Sequence, residues 1–302
     1  MKHILVHVHV YYIDMWEELR SYLENLDTLK CSYDLFVTTV SEDEALITKI
    51  RHFHPDAQIR KVANRGYDVW PFISVLNEVD LSQYSYIIKL HTKRDNFTDP
   101  EPGRTITSPY NLYGKRWREN LLSFMKKDNL EKCFQAFDKD SQLGMINCYR
   151  CIVPSFHKTE TTLLKVQKGA EKLLEKVNLT LQVSRYIKGT MFIARASLLQ
   201  KIKEMGLTLN DFPPPDPEHS INIAHHMEVA LGSVVVAQGY KVEDAFTPSA
   251  KLKAGAERCY LTMRSTMRSK TRKFFFQKKK TKSGRTIIKV CKIPVYSSRK
   301  KK

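Results

Sequence analysis

The chain has 302 residues, enough to bury a full core. Its 42% hydrophobic and 27% charged content is that of a globular protein and excludes a disordered one. The net charge of +18 lies at one end: from Lys251 to Lys302 nineteen Lys and Arg face one acid, Glu257, leaving 31 bases against 31 acids in the first 250 residues. A neutral body excludes a basic stripe across the fold, and no apolar run reaches the ~18–20 residues that span a bilayer.

Ile4 to Tyr12 alternates apolar residues with His and reads as a strand. It has no small-residue cleavage site and does not read as a signal peptide. His3, His7 and His9 fall on one face, as packed or exposed sheet histidines rather than a metal site. Met15 to Leu26 has helical spacing through Trp16, Leu19, Tyr22, Leu23 and Leu26. Asp34 to Val40 is a second strand. Ser41 to Phe53 is a second helix, with Ser41 as N-cap and Glu44 three residues on. Gln58 to Val62 is a third strand. This alternation predicts a parallel, doubly wound sheet.

Next comes Asn64-Arg65-Gly66-Tyr67-Asp68-Val69-Trp70-Pro71-Phe72, leading into a helix through Leu76 and Val79. Gly66 suits a tight turn beside a ligand. Asp68 either caps the helix or contacts that ligand. The fourth strand, residues 84–90, ends in Lys89, His91, Lys93 and Arg94. In open α/β sheets ligands bind at that edge, and such side chains suit a phosphate-bearing ligand. The alternative is a strand running into a solvated loop. Lys89, His91 and Lys93 share one parity and can converge.

Asn96 to Tyr113 is polar, with Pro and Gly, and reads as a long loop. Gly114 to Phe124 is helical, with Lys115, Arg116, Trp117 and Arg118 at its head. Trp117, Arg118, Trp70 and Tyr67 either stack on a ligand ring or pack. Leu130 to Phe137 is a helix, Gly144 to Cys148 a short strand, and Thr161 to Val177 an amphipathic helix. Cys148 and Cys151 are the only close pair among six Cys, with no second pair at zinc spacing, so free thiols in a reducing cytoplasm are expected. Tyr186 to Arg195 reads as one apolar strand with a Gly189-Thr190 kink at its start. Leu198 to Met205 is a helix, and Asp211 to Pro217 a rigid Pro-rich loop. His219 to Val235 is a helix that puts His225 and Glu228 on one face. Gly239 to Val242 is a return strand. In the tail, Ala254 to Phe276 mixes aromatic and basic residues, and Lys278 to Arg285 reads as a basic hairpin turn. Such a tail meets an anionic membrane or nucleic acid, or stays solvated.

The order of these elements resembles a glycosyltransferase of the GT-A type. The finer resemblance is to the rhamnan synthesis protein F family. It is carried by His7-Val8-His9-Val10-Tyr11-Tyr12, the segment Asn64 to Phe72, Lys89-Leu90-His91-Thr92-Lys93, Trp117-Arg118, Gly189-Thr190-Met191-Phe192 and His225-His226-Met227-Glu228. Together these cover roughly residues 3–245. Val229 departs from the pattern, which expects Arg after the acid. The resemblance implies an α/β, GT-A-like (Rossmann-like), mostly parallel sheet flanked by helices over residues 1–250. A basic C-terminal appendage, a helix plus a β-hairpin, follows over residues 251–302.

The implied activity is transfer of a sugar from a nucleotide-sugar donor to a growing cell-surface polysaccharide or lipopolysaccharide glycan. The donor expected is dTDP-rhamnose, the acceptor a lipid-linked glycan, and the stereochemistry inverting. The implied donor site is Asn64, Gly66, Asp68, Lys89, His91 and Lys93; the acceptor site is Trp117, Arg118, Gly189 and Thr190. Glu228 is the expected general base, with His225 or His226 as the alternative base or an orienting partner. Typical GT-A enzymes hold Mg²⁺ or Mn²⁺ on an Asp-x-Asp motif. Here His91-Thr92-Lys93 takes that place, so no metal or other cofactor is expected and cations are to stabilise the leaving group. The tail would dock the protein, otherwise cytoplasmic, on the inner face of the cell membrane; no nucleic acid is an expected partner. Two rivals remain: a nucleic-acid-binding α/β protein with a basic tail, and a non-catalytic scaffold retaining the fold.

Overall fold

The computed structural model describes residues 3–94, 114–154, 161–181, 185–216, 220–250, 252–253, 277–280, 286–290 and 293–297. The predicted 96–113 loop, the 254–276 segment and the turn at 281–285 lie outside the described residues.

The strands of the body are β1 (His3–Val10), β2 (Ser32–Thr39), β3 (Gln58–Lys61), β4 (Tyr86–His91), β5 (Leu143–Ile146), β6 (Ile152–Pro154), β7 (Arg185–Ile187), β8 (Phe192–Arg195) and β9 (Lys241–Glu243). Its helices are α1 (Trp16–Thr28), α2 (Glu44–Phe53), α3 (Val69–Glu78), α4 (Gly114–Leu122), α5 (Lys127–Lys139), α6 (Thr161–Glu175), α7 (Gln200–Glu204) and α8 (Ile223–Ala237). Seven strands form one sheet in the order β3-β2-β1-β4-β8-β5-β9. β1 pairs in parallel with β2 and β4, β2 with β3, and β5 with β9. Parallel strands covered on both faces need apolar residues throughout. Accordingly every residue of β1 after His3 is buried, as is all of β4. Helix α1 turns Trp16, Leu19, Leu23 and Leu26 inward, each such burial being worth about 1.5–3 kcal/mol.

β8 is the exception that builds the site. It runs antiparallel to both β4 and β5, with Lys89 opposite Phe192 and Ile146 opposite Ile193. An antiparallel strand enters the sheet where its parallel neighbours leave it. The residues just before β8 therefore lie beside those just after β4 and β5.

The structure revises several sequence boundaries. Residues 186–195 are two strands: β7 pairs with β6 in a separate ribbon, and β8 begins only at Phe192. Between them Gly189 (φ +91°) and Thr190 (φ +51°) are both left-handed, a backbone that ends a ladder. Helix α2 is capped by Asp43, not Ser41; its carboxylate accepts from Leu46 N–H at 2.7 Å. Helix α8 starts at Ile223, after the cap residue Asn222, whose side chain accepts from Ala224 N–H at 3.0 Å.

The chain divides into two compact units, the first made of residues 1–99 and 112–250 and the second of residues 100–111 and 251–302. In the second, β10 (Gln277–Lys280), β11 (Thr286–Val290) and β12 (Ile293–Ser297) form an antiparallel three-stranded sheet. Among the described residues no helix is long and apolar enough to cross a membrane.

Candidate active site

Two strained turns meet at the exit of β4. In the first, Gly66 (φ +63°) and Tyr67 (φ +55°) bring Asp68 to the head of α3. A Cβ on Gly66 would lie 2.4 Å from Phe212 Cδ1, so φ and space both require glycine. The second turn is Gly189-Thr190. The two are joined through one carboxylate oxygen. Asp68 Oδ2 accepts from Lys89 Nζ at 2.5 Å and from the Thr190 hydroxyl, and Thr190 Oγ1 accepts from Lys89 Nζ at 2.9 Å. Lys89 is fully buried, with its ammonium 5.5 Å from the Phe72 ring centroid. Burial works against the charged form of Asp68, but His91, Lys89 and the hydrogen bonds from Lys89 and Thr190 outweigh it and hold the carboxyl well below the usual range. Burial lowers the Lys89 ammonium too, against the pull of Asp68. Lys89 is thus already neutralised and is not a free phosphate-binding cation.

Behind this trio lies a layer of buried histidines. His91 Nδ1 is 3.5 Å from Asp68 Oδ2 without being aligned as a hydrogen bond. Burial pushes His91 down to about 3 and His9 down to about 4, so both are neutral at pH 7. His7 Nε2 and His9 Nδ1 share the Thr38 hydroxyl at 2.9 and 3.0 Å. Thr92 Oγ1 accepts from the N–H groups of Tyr11 and Tyr12, both at 3.0 Å, and so ties the exits of β1 and β4 together.

On the other side of Gly189 the groups differ. Gly189 N–H donates to Glu228 Oε1 at 2.7 Å. Burial raises the Glu228 carboxyl; the Gly189 bond, Lys93 and Lys188 oppose that, while Asp68 adds to it. A Cβ on Gly189 would lie 2.8 Å from Leu121 Cδ1 and 3.2 Å from Trp117 Cζ2. Only glycine lets α4 lie against this turn. Over the Trp117 ring stand two ammonium groups, Lys93 Nζ at 4.0 Å and Lys188 Nζ at 5.1 Å from the centroid. Arg118 fixes the main chain here: its Nε donates to Glu18 at 3.0 Å and its guanidinium to the Lys93 carbonyl at 3.0 Å. Buried Asn147, just past β5, donates to the Leu121 carbonyl at 3.2 Å and the Met191 carbonyl at 2.5 Å, joining α4 to the start of β8.

The expected site residues therefore fall into groups. Gly66, Asp68, Lys89, His91, Gly189 and Thr190 converge with Glu228, Lys93 and Trp117. Asn64 is exposed on the loop ahead of Gly66. Arg118 is turned to Glu18 and to the main chain. His225 closes the first turn of α8, accepting from Asn222 N–H at 3.3 Å, and its ring meets that of Tyr67 edge-on at 5.7 Å. Lys188, Asn147 and Thr92 carry structural weight that sequence reading did not assign. Lys188, beside the Gly-Thr kink, was the one visible in principle.

Asp68 Oδ2 already holds a lysine and a hydroxyl, which does not suit a divalent cation. Among the described residues no group of three or more His, Cys, Asp or Glu is arranged to hold a metal ion. Cys148 and Cys151 are buried free thiols, and burial pushes Cys148 up to about 11, far from thiolate reactivity.

Several known proteins resemble the chain. Proteins named WxcX, described as uncharacterized, from two strains of Xanthomonas campestris pv. campestris are 23% identical over 242 residues, 78% of this chain and 32% of theirs. The chain thus spans about a third of the length of these relatives. Among solved structures, S. aureus TarS 1-349 matches with a TM-score of 0.39 at 10% identity, covering 78% of this chain and 55% of that one. The 4-diphosphocytidyl-2C-methyl-D-erythritolsynthase of Anaerococcus prevotii matches with a TM-score of 0.39 at 12% identity, covering 86% and 99%. Residues 1–240, nearly the whole body and every residue of the convergent cluster, match the rhamnan synthesis protein F family, and the chain belongs to that family.

Proposed function

We propose that the body is a GT-A-like glycosyltransferase whose donor site is the edge where β4 leaves the sheet and β8 enters it. Family membership supports a transferase role in polysaccharide synthesis. The observation that carries the reading is the pair of carboxylates on either side of Gly189-Thr190. Asp68 is locked ionised and neutralised; Glu228 is held by one N–H, half-buried, and raised by burial. A carboxylate with a raised pKa at a ligand-binding sheet edge has the properties of a general base.

In this mechanism a nucleotide sugar lies along the edge, with Asn64 and the Gly66 turn against the nucleotide. Glu228 takes the proton from an acceptor hydroxyl as its oxygen attacks the anomeric carbon. The bond from that carbon to the diphosphate breaks, with inversion. Asp68, Lys89 and Thr190 hold both turns in place, and His91 keeps the wall neutral. Cations, rather than Mg²⁺ or Mn²⁺, neutralise the leaving diphosphate; the engaged state of Asp68 supports this. The donor proposed is dTDP-rhamnose and the acceptor a lipid-linked glycan at the inner face of the cell membrane. The excess positive charge of residues 251–302 suits docking there.

The test is release of free nucleoside diphosphate from dTDP-rhamnose, UDP-sugars and GDP-sugars in excess EDTA, with wild type and Glu228→Gln. Turnover by wild type that is lost in the variant is the expected result. No turnover of any donor would overturn the reading, and turnover that returns only on adding Mn²⁺ would overturn its metal-free form.

A further inference from the structure

The structure assigns Lys93, Trp117 and Lys188 to a single anion clamp, which receives the diphosphate of a nucleoside diphosphate. The identity of the anion rests on the glycosyltransferase reading; the clamp itself does not.

Three ammonium groups, those of Lys89, Lys93 and Lys188, surround the Gly189-Thr190 turn, facing two carboxylates, Asp68 and Glu228. Lys89 and Asp68 cancel each other at 2.5 Å. Lys93 is still drawn to Asp68 and Glu228, and Lys188 to Glu228, so three ammonium groups face two carboxylates, and Glu228 is itself engaged by the Gly189 N–H and biased by burial toward its neutral form. Among the described residues neither ammonium pairs with a carboxylate; each lies over the same indole ring instead. Centroid distances of 4.0 and 5.1 Å put the two charges at most about 9 Å apart. An aromatic ring attracts a cation but does not cancel its charge. Two like charges that close, both partly withdrawn from water, leave an excess of positive charge that an anion would relieve.

The clamp is also held rigid, as a site must be and an incidental pair need not be. Arg118 fixes the Lys93 carbonyl. Lys188 N–H donates to the Cys151 carbonyl at 2.9 Å. Trp117 lies against Gly189, where no side chain fits. The two lysines come from residues 95 apart in sequence, brought together only because β8 is antiparallel to β4. A diphosphate, with oxygens at both ends, bridges two such donors better than a single carboxylate does.

The experiment titrates the full chain with inorganic pyrophosphate and with dTDP and UDP in excess EDTA, reading tryptophan fluorescence and thermal shift. Trp117→Phe identifies which tryptophan reports. Lys93→Met and Lys188→Met keep the aliphatic stem over the ring and remove the charge; Lys188→Arg restores the charge. Each Met variant is expected to weaken pyrophosphate binding by at least about tenfold. Lys188→Arg should stay within about threefold of wild type, and the exposed Lys132→Met should match wild type. Pyrophosphate failing to bind wild type, or binding both Met variants as tightly, would overturn the clamp. Pyrophosphate binding that needs both lysines, with no nucleotide sugar turned over, would keep the clamp and remove the glycosyltransferase reading. Sugar transfer unaffected by either Met variant would do the reverse.

Discussion

Asp68 and Glu228 hold adjacent residues of one turn, Asp68 through the Thr190 hydroxyl and Glu228 through the Gly189 N–H. Their surroundings are opposed in kind. Around Asp68 every charge is answered: a buried ammonium, a hydroxyl and a wall of neutral histidines. Around Glu228 the nearby cations, Lys93 and Lys188, lie on a tryptophan ring, and among the described residues the carboxyl has one hydrogen bond. The difference separates two uses of buried charge. A fully matched pair fixes a fold, whereas a partly matched one stores affinity for a proton or a ligand. Substitutions on the two sides should therefore fail differently, one in stability and the other in activity.

The largest effect is expected on the Glu228 side. Glu228→Gln should lower turnover by about 10²–10⁴-fold, the usual worth of a general base, while thermal unfolding stays near that of wild type. With a raised carboxyl pKa, the base is unprotonated only above the ordinary Glu value of about 4.3. The acid limb of kcat/KM should accordingly lie above that value and vanish in the variant. A variant that loses stability as severely as activity would collapse the contrast between the two sides.

Asp68→Ala should show the opposite pattern. It leaves a buried, uncompensated ammonium, so a loss of about 3–5 kcal/mol in denaturant unfolding is expected. Lys89→Met in the Asp68→Ala background should recover much of that loss, since a neutral pair has no stranded charge. A double-mutant cycle measures the coupling directly. Additive losses would mean that Asp68 and Lys89 do not act as a matched pair.

These contrasts were only partly legible in the sequence. The alternation of Val-rich and amphipathic segments from Ile4 to Leu90 was enough to place β1 to β4 and their helices, because parallel strands and covering helices impose local periods of two and 3.6. Lys89, His91 and Asp68 were visible as polar residues at the ends of such elements, and Glu228 as an acid within a helix. Their partners were not. Lys89 reads identically whether it faces a phosphate or a buried aspartate 21 residues away, and only long-range pairing decides. The same holds for Lys188, whose neighbours are set by the antiparallel insertion of β8, and for Asn147, which bonds to carbonyls from two distant elements. The Gly189-Thr190 kink was legible, but not that the residues ahead of it leave the main sheet, because their partner β6 lies in a distant stretch of sequence.

The histidine layer gives a smaller, pH-dependent test of how closed the Asp68 side is. His9 and His91 are neutral in the fold down to about 4 and about 3, whereas their ordinary value is 6.5. As pH falls below 6.5 the unfolded chain takes up protons that the native state refuses, so native stability falls with pH. Each such histidine contributes a slope of up to about 1.4 kcal/mol per pH unit between roughly 6.5 and 4. Urea midpoints measured from pH 7 to pH 5 should drop, and His9→Gln should flatten the drop. A flat profile for wild type would mean that the histidines exchange protons freely, and that the layer is open to water.

The smallest expected effect falls on Thr190, the neighbour of Gly189 in the turn. Thr190 gives its hydroxyl to Asp68 and takes a hydrogen bond from Lys89, yet its backbone sits at φ +51°, where a β-branched side chain is strained. Thr190→Ser keeps both hydrogen bonds and removes one methyl group, so the lost packing and the relieved strain should nearly cancel. Thr190→Val keeps the shape and the strain but removes the hydroxyl that bonds both Lys89 and Asp68, which still hold each other, at a cost of about 1–3 kcal/mol. Because Gly189, and not Thr190, holds Glu228, neither variant should move the acid limb of the activity profile. A shift of that limb in Thr190→Val, with Thr190→Ser unchanged, would mean that charge matching on the Asp68 side sets the proton affinity of Glu228. The two carboxylates would then be one titrating system, divided by a turn but not insulated by it.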